Sequence, residues 1–161
     1  MIMQEIKQIN GDAEYYASFL EMWKEYLADL KSKEPRVEDL DVSGLYQMFQ
    51  NENLHIYFMM LNDKCMGFAI VGVKGEKPKG ASAHIAEFFV RSEYRNKGFG
   101  RWMAREVLKN YGKTVSLHIL RNNPDAKRFW ERVFADWDDV SEKFDLSDEI
   151  VIGKVYRKHE E

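Results

Sequence analysis

Ile85-Ala86-Glu87-Phe88-Phe89-Val90, then Arg91-Ser92-Glu93-Tyr94, then Arg95-Asn96-Lys97-Gly98-Phe99-Gly100: the fold is decided by how this stretch is read. Its first six residues are dense in branched and aromatic side chains, which suits a buried strand. Its last six open a helix-like run, Arg101 to Tyr111. A strand, a glycine-bearing turn and a helix in that order make a cradle for an anion. The first amides of a helix have no intrahelical partner and point at whatever lies above the helix start. The macrodipole adds partial positive charge there. Gly98 and Gly100 carry no side chain to block a close backbone approach. The dinucleotide fingerprint needs a third early glycine, and the P-loop needs a closing Gly-Lys-Ser/Thr; this segment has neither.

Upstream, Ile2 to Ile9 reads as a strand. Ala13 to Leu30 reads as a helix, with Phe19, Leu20, Trp23, Leu27 and Leu30 at helical spacing. Pro35 breaks the chain, and Val37 to Asn51 is a second helical stretch. Leu54 to Leu61 and Cys65 to Val73 form a hairpin around Asn62-Asp63-Lys64, and Gly75 to Gly80 is a polar loop before the strand Ala83 to Val90. Downstream, the helix Gly100 to Tyr111 ends at Gly112, and Thr114 to Leu120 is a short strand. Pro124 suits an early helical position ahead of Asp125 to Phe134. Asp138 to Asp145 and Glu149 to Tyr156 are two last strands. The order β-α-α-β-β-β-α-β-α-β-β is α+β around a mixed sheet.

Length and the absence of any linker, repeat or low-complexity tract predict one domain over 1–161. Net charge is −3 with both signs interspersed, which argues against a basic nucleic-acid-binding face. The lone Cys65 excludes an internal disulfide, and a reducing, cytoplasmic setting is the simplest expectation. Cys65 lies in an apolar strand-like run, where a structural thiol outweighs a nucleophile. No apolar run approaches the ~18 residues of a membrane span, and no signal-peptide core appears at the start of the sequence.

Arg95 to Gly100 resembles the Gln/Arg-x-x-Gly-x-Gly/Ala signature of the GNAT superfamily of N-acetyltransferases. The likeness extends upstream through Phe88 to Tyr94. It resumes at Asn123-Pro124-Asp125-Ala126-Lys127-Arg128-Phe129-Trp130, which is similar to the family block Asn-x-x-Ala-x-x-aromatic/aliphatic-Tyr. It is close over Ala83 to Phe134 and holds elsewhere as a pattern of elements.

The resemblance implies the GNAT fold, in which the strands Ala83–Val90 and Thr114–Leu120 run parallel and splay apart around acyl-coenzyme A. It implies acetyl-CoA as the acyl donor, an amine as acceptor and no metal. The amides of Arg95, Asn96, Lys97, Gly98, Phe99 and Gly100 would receive the pyrophosphate. The main chain of Phe89 and Val90 would pair with the pantetheine arm, and Asn123 would hydrogen-bond the cofactor. Asn123 precedes Pro124 and is equally suited to capping the helix. A homodimer is compatible with the resemblance, and neither nucleic acid nor membrane is implied. Two positions depart from the family: Trp130 stands where a tyrosine usually protonates the leaving thiolate, and Phe134 where a glycine is common. Indole N–H donates a hydrogen bond but does not surrender its proton near neutral pH. A non-catalytic acyl-CoA-binding domain on the same fold is therefore the alternative to an enzyme.

An attacking amine must be neutral, so a base is wanted. Glu87 is a carboxyl in an apolar strand, where burial raises its pKa. His118 stands where several relatives place a glutamate, and its ordinary pKa suits an amine proton. His84 occupies another such position, though a solvent-facing strand-edge residue is the plainer reading. Glu21, Glu25 and Asp29 form an acidic stripe at helical spacing, either a solvated face or an amine-attracting rim.

Overall fold

Asn62 and Asp63 both adopt a left-handed backbone, with φ of 49° and 66°. Two such residues make the mirror-image turn that matches the twist of a hairpin. The turn is therefore two residues long rather than three, and Lys64 already belongs to the return strand. In the computed structural model, which describes residues 3–74, 82–111, 114–120, 123–135, 138–144 and 150–156, that hairpin is β2 (Leu54–Leu61) and β3 (Lys64–Gly72). The expected Gly75–Gly80 loop and the Gly112 stop lie outside the described residues.

The other strands are β1 (Gln4–Gln8), β4 (Ala83–Val90), β5 (Thr114–Leu120), β6 (Asp138–Phe144) and β7 (Ile150–Tyr156). The helices are α1 (Tyr16–Lys33), α2 (Val42–Gln50), α3 (Phe99–Leu108) and α4 (Pro124–Val133). Among the described residues one seven-stranded sheet runs β1-β2-β3-β4-β5-β7-β6. Its pairs are antiparallel except β4 with β5, which are parallel and joined through α3.

Caps set the helix bounds. An Asp41 carboxylate oxygen accepts from the Gly44 N–H at 3.1 Å, so α2 starts at Val42 rather than Val37. The Asn123 side chain accepts from the Ala126 N–H at 3.1 Å, with Pro124 at the first turn of α4. Gly67 of β3 is imposed by its neighbour, since a Cβ there would lie 2.2 Å from the Phe89 carbonyl oxygen of β4.

The sheet is covered on both faces. Phe19 and Met22 of α1 and Leu45 and Phe49 of α2 pack on Phe58, Phe68, Ile70 and Phe89. On the opposite face Met103, Ala104 and Val107 of α3 and Trp130 and Val133 of α4 pack on Met59, Met66, Ile85, Val115 and Leu117.

Candidate active site

Two irregularities in β4 build the site. The first is where it leaves β5. The strands pair at Ala83–Val115, His84–Ser116 and Ile85–Leu117, and beyond Ile85 no pairing between them is found among the described residues. Both strands continue, β4 to Val90 and β5 to Leu120. The sheet opens into a splay whose β4 side carries main chain that β5 does not pair.

The second is a bulge. Ile70 of β3 faces Glu87 while Val71 faces Ile85, so Ala86 is an extra residue. Ile85 packs on the α3/α4 face and Ala86 on the α1/α2 face. Strict alternation would then send Glu87 into the apolar α3/α4 core. The bulge resets the alternation instead. Glu87 turns toward α1, where the Tyr26 hydroxyl donates to its carboxylate, and Phe88 takes the α3/α4 face. Burial pushes the Glu87 carboxyl up to about 7, against the opposing pull of the Tyr26 hydrogen bond.

The histidines lie on that same α1/α2 face, because Ala83, Ile85, Val115 and Leu117 between them all pack on the other. His84 is partly buried, its Nδ1 is 2.8 Å from Ser116 Oγ, and its ring centroid is 5.0 Å from that of His118. Burial lowers the His84 pKa, and the His118 charge lowers it further. His118 is exposed at the start of the open segment of β5. The structure thus brings His84 and His118 together, with the buried Ser116 fixing the His84 ring.

Across the sheet, the Arg95–Gly100 turn ends in the N-terminus of α3. Asn96 and Gly98 take left-handed conformations, with φ of 61° and 85°. Among the described residues no side chain caps α3, whereas α2 and α4 are both capped. A Cβ at Gly98 would meet no atom of the described residues within 4 Å. Gly100 is different: a Cβ there would lie 3.1 Å from both Phe129 and Val90, so its smallness serves the packing of α3 against α4 and β4. Phe99 packs edge-on to Tyr94, and Lys97 Nζ donates to the Glu93 carbonyl at 3.1 Å. Arg95 Nε donates to the Val90 carbonyl at 2.7 Å while its other end binds Asp29 of α1. Arg91 sits against Glu25 and Glu21 at 3.1 and 3.5 Å. The acidic stripe of α1 is therefore engaged by two arginines of the β4–α3 connection, and is neither a free rim nor merely a solvated face.

The proximity of the Phe89 carbonyl to Gly67 shows that it faces β3. Successive carbonyls along a strand point to opposite edges, so Phe88 and Val90, not Phe89, turn their main chain toward the splay.

A model of the acetyltransferase (GNAT) family matches residues 16–135, from the start of α1 past the end of α4. The chain belongs to the GNAT acetyltransferase family. Solved structures agree on the fold. An acetyltransferase from Thermus thermophilus superposes with a TM-score of 0.70 at 12% identity, over 94% of this chain and 96% of its own. The PaiA N-acetyltransferase of Thermoplasma acidophilum, in complex with coenzyme A, gives 0.68 at 14% identity, over 96% and 99%. NAA60 of Arabidopsis thaliana, in complex with a bisubstrate analogue, gives 0.63 at 18% identity, over 98% and 100%. No curated protein matches the sequence.

In this GNAT domain Trp130 is a core residue. It is buried, stacked on Phe134 and edge-on to Phe88 and Phe129. Phe134 in place of a small residue supplies the surface on which the indole lies. Cys65 is half-buried, 3.5 Å from Met60 Sδ, and burial pushes its thiol up, away from the nucleophilic thiolate. Among the described residues no helix is long and apolar enough to cross a membrane, and no group of three or more potential ligands gathers as a metal site.

Sequence reading did not single out Tyr26 or Ser116. Tyr26 left a trace, being a tyrosine within an apolar helical stripe whose hydroxyl needs a partner once buried. Ser116 left none beyond its place in an apolar strand.

Proposed function

We propose that this GNAT domain transfers an acetyl group from acetyl-CoA to a primary amine, of a small molecule or a protein, by direct attack in a ternary complex. The reading is carried by one observation: the splay beyond Ile85 and Leu117 has an uncapped, glycine-bearing helix start on one face and a carboxyl with a pKa near 7 on the other. Such an opening lets a donor held on the α3/α4 face meet an acceptor on the α1/α2 face. The family membership and the coenzyme A complex of the PaiA enzyme support acyl-CoA as donor.

The residues present fit that donor. The amides of Arg95, Asn96, Lys97, Gly98, Phe99 and Gly100 would hold its pyrophosphate, and Gly98, with no described atom within 4 Å of its missing Cβ, leaves room for close approach. The Phe88 main chain and the Val90 amide would pair with the pantetheine arm as an added strand does, the Val90 carbonyl being held by Arg95. Asn123 keeps its capping bond and would turn its amide NH₂ to the cofactor. Acetyl-CoA supplies a thioester whose C–S bond breaks as the acceptor nitrogen forms the new C–N bond. Glu87 would take the amine proton: a carboxyl that titrates near neutrality combines a useful ionised fraction with useful basicity. His118, with His84 behind it, is the second base to weigh. With Trp130 packed into the core, the thiolate would collect its proton from water.

The test is thiol release with acetyl-CoA across a broad amine panel, with Glu87→Gln and His118→Ala beside the parent. Glu87→Gln is expected to lower turnover by roughly 10²–10⁴-fold with cofactor affinity nearly intact. If His118→Ala does so instead, His118 is the base. The buried Trp130 favours one rival, a domain that binds acyl-CoA without using it. Tight coenzyme A binding with no thiol release from any amine would establish that rival.

A further inference from the structure

Tyr26 stands on α1, three residues from both Trp23 and Asp29. Its ring is enclosed by Trp23, Phe68 and Phe89 at centroid distances of 5.3, 5.5 and 5.6 Å. Its hydroxyl donates to the Glu87 carboxylate. A phenol enclosed by aromatic rings needs a partner for its proton, and here it is the one carboxylate on that face of β4. One turn further along α1, Asp29 holds Arg95, the first residue of the glycine turn. The same helix thus grips the strand at Glu87 and the turn at Arg95.

We propose that Tyr26 is the positioning residue of the site: its hydroxyl, held against the Glu87 carboxylate by its packed ring, sets the orientation and ionisation of Glu87, so that α1 rather than β4 decides the pH at which the enzyme works. The consequence for activity rests on the reading of Glu87 as the base; the control of Glu87 by Tyr26 does not.

The surroundings leave Tyr26 as the group in command. Ile70 lies opposite Glu87 on β3, and Phe68 and Phe89 are apolar. α2 carries no Asp, Glu, Lys, Arg or His, and its tyrosine, Tyr46, packs edge-on to Tyr16. His84 of β4 and His118 of β5 share the face but are engaged with Ser116 and with each other. Arg95 is taken by Asp29 and by the Val90 carbonyl. Among the described residues the hydroxyl of Tyr26 is the direct partner of the carboxyl, and its hydrogen bond favours the ionised form against burial. Removing it leaves burial unopposed, and the carboxyl titrates at higher pH.

The experiment is Tyr26→Phe, which keeps the packed ring, with Glu87→Gln alongside. The Glu87 carboxyl is titrated by carbon-13 NMR of protein labelled at the glutamate side-chain carboxyl, its resonance assigned by loss in Glu87→Gln. The kcat–pH profile is measured on the most active amine. In Tyr26→Phe both the midpoint and the acidic limb should move up together, roughly tenfold in rate on the acid side, the usual size for losing a hydrogen bond to a charge. The rates should converge with the parent at high pH, with KM for acetyl-CoA unchanged. An unmoved midpoint overturns the proposal. A midpoint that moves under an unmoved rate profile supports the control of Glu87 by Tyr26 and overturns Glu87 as the base. A uniform fall in rate at every pH, with no movement of the midpoint, marks Tyr26 as a packing residue and likewise overturns the proposal.

Discussion

Gly98 and Gly100 look alike in the sequence and do different work. Gly98 is the left-handed cap of α3, with no described atom within 4 Å of its missing Cβ, whereas Gly100 is wedged between Phe129 and Val90. Gly98→Asn should fold with nearly parental stability, because asparagine tolerates that backbone. Gly98→Val should cost about 1–2 kcal/mol through backbone strain and weaken acetyl-CoA binding in calorimetry. Gly100→Ala should cost about 1–3 kcal/mol through overpacking whether or not cofactor is present. Equal effects of Gly98→Val and Gly100→Ala on cofactor affinity would assign both glycines to packing alone. Glu87 carries a second residue-scale signature. Its folded pKa of about 7 exceeds its ordinary 4.5, so the fold prefers the protonated form. The stability this lends is complete below the ordinary value and lost as pH rises through about 7. His84, whose pKa is lowered, has the opposite sign, but it cancels when a Glu87 variant is compared with its parent. Glu87→Gln should therefore gain on the parent between about pH 5 and pH 8, on the order of 2–3 kcal/mol by urea unfolding. A pH-independent difference would show that Glu87 is ionised throughout.

At the scale of elements, what was legible followed local chemistry. Helical spacing of Phe19, Trp23 and Leu27 reports α1, and the dense run from Ile85 reports β4, because each pattern is written within one element. Asp41 and Asn62-Asp63 trim their elements by caps and turns that a few residues decide. The bulge at Ala86 was not legible, since it is a property of the β3–β4 register. Nor was the meeting of Tyr26 with Glu87, which lie 61 positions apart. The same holds for the acidic stripe: Glu21, Glu25 and Asp29 predict one face of α1 but not the arginines that come to meet it. Gly67 tests the β3–β4 pair directly. Its substitution by alanine puts a Cβ 2.2 Å from the Phe89 carbonyl oxygen, and backbone must move to relieve it. Gly67→Ala should therefore destabilise by more than the ~1 kcal/mol typical of point changes, with a lowered melting temperature and raised amide exchange in β4. A parental melting curve would mean that the two strands slide past each other freely.

Across the whole molecule, the parallel seam between β4 and β5 is the weak line of the sheet. Three residue pairs join them, while β3 follows β4 from Gly67–Val90 to Gly72–His84, and β5 keeps β7 over its full length. The β1–β4 half with α1 and α2 thus meets the β5–β7 part along a short hinge-like pairing, reinforced by α3 and α4. A ligand lying in the splay would hydrogen-bond to main chain on one side and touch α4 on the other, replacing the strand pairing that the opening forgoes. Acetyl-CoA should accordingly stabilise the native state alone, by about 2.7 kcal/mol at one hundred times its dissociation constant. For a chain of this length that is roughly 5–10 °C in melting temperature. The gain should be local in origin: exchange of the Val90 amide and of the first amides of α3 should slow more than exchange in β1 or β2, which the ligand does not reach. A thermal shift without that local protection would place the ligand elsewhere on the surface, and no shift at millimolar acetyl-CoA would remove the splay as its site.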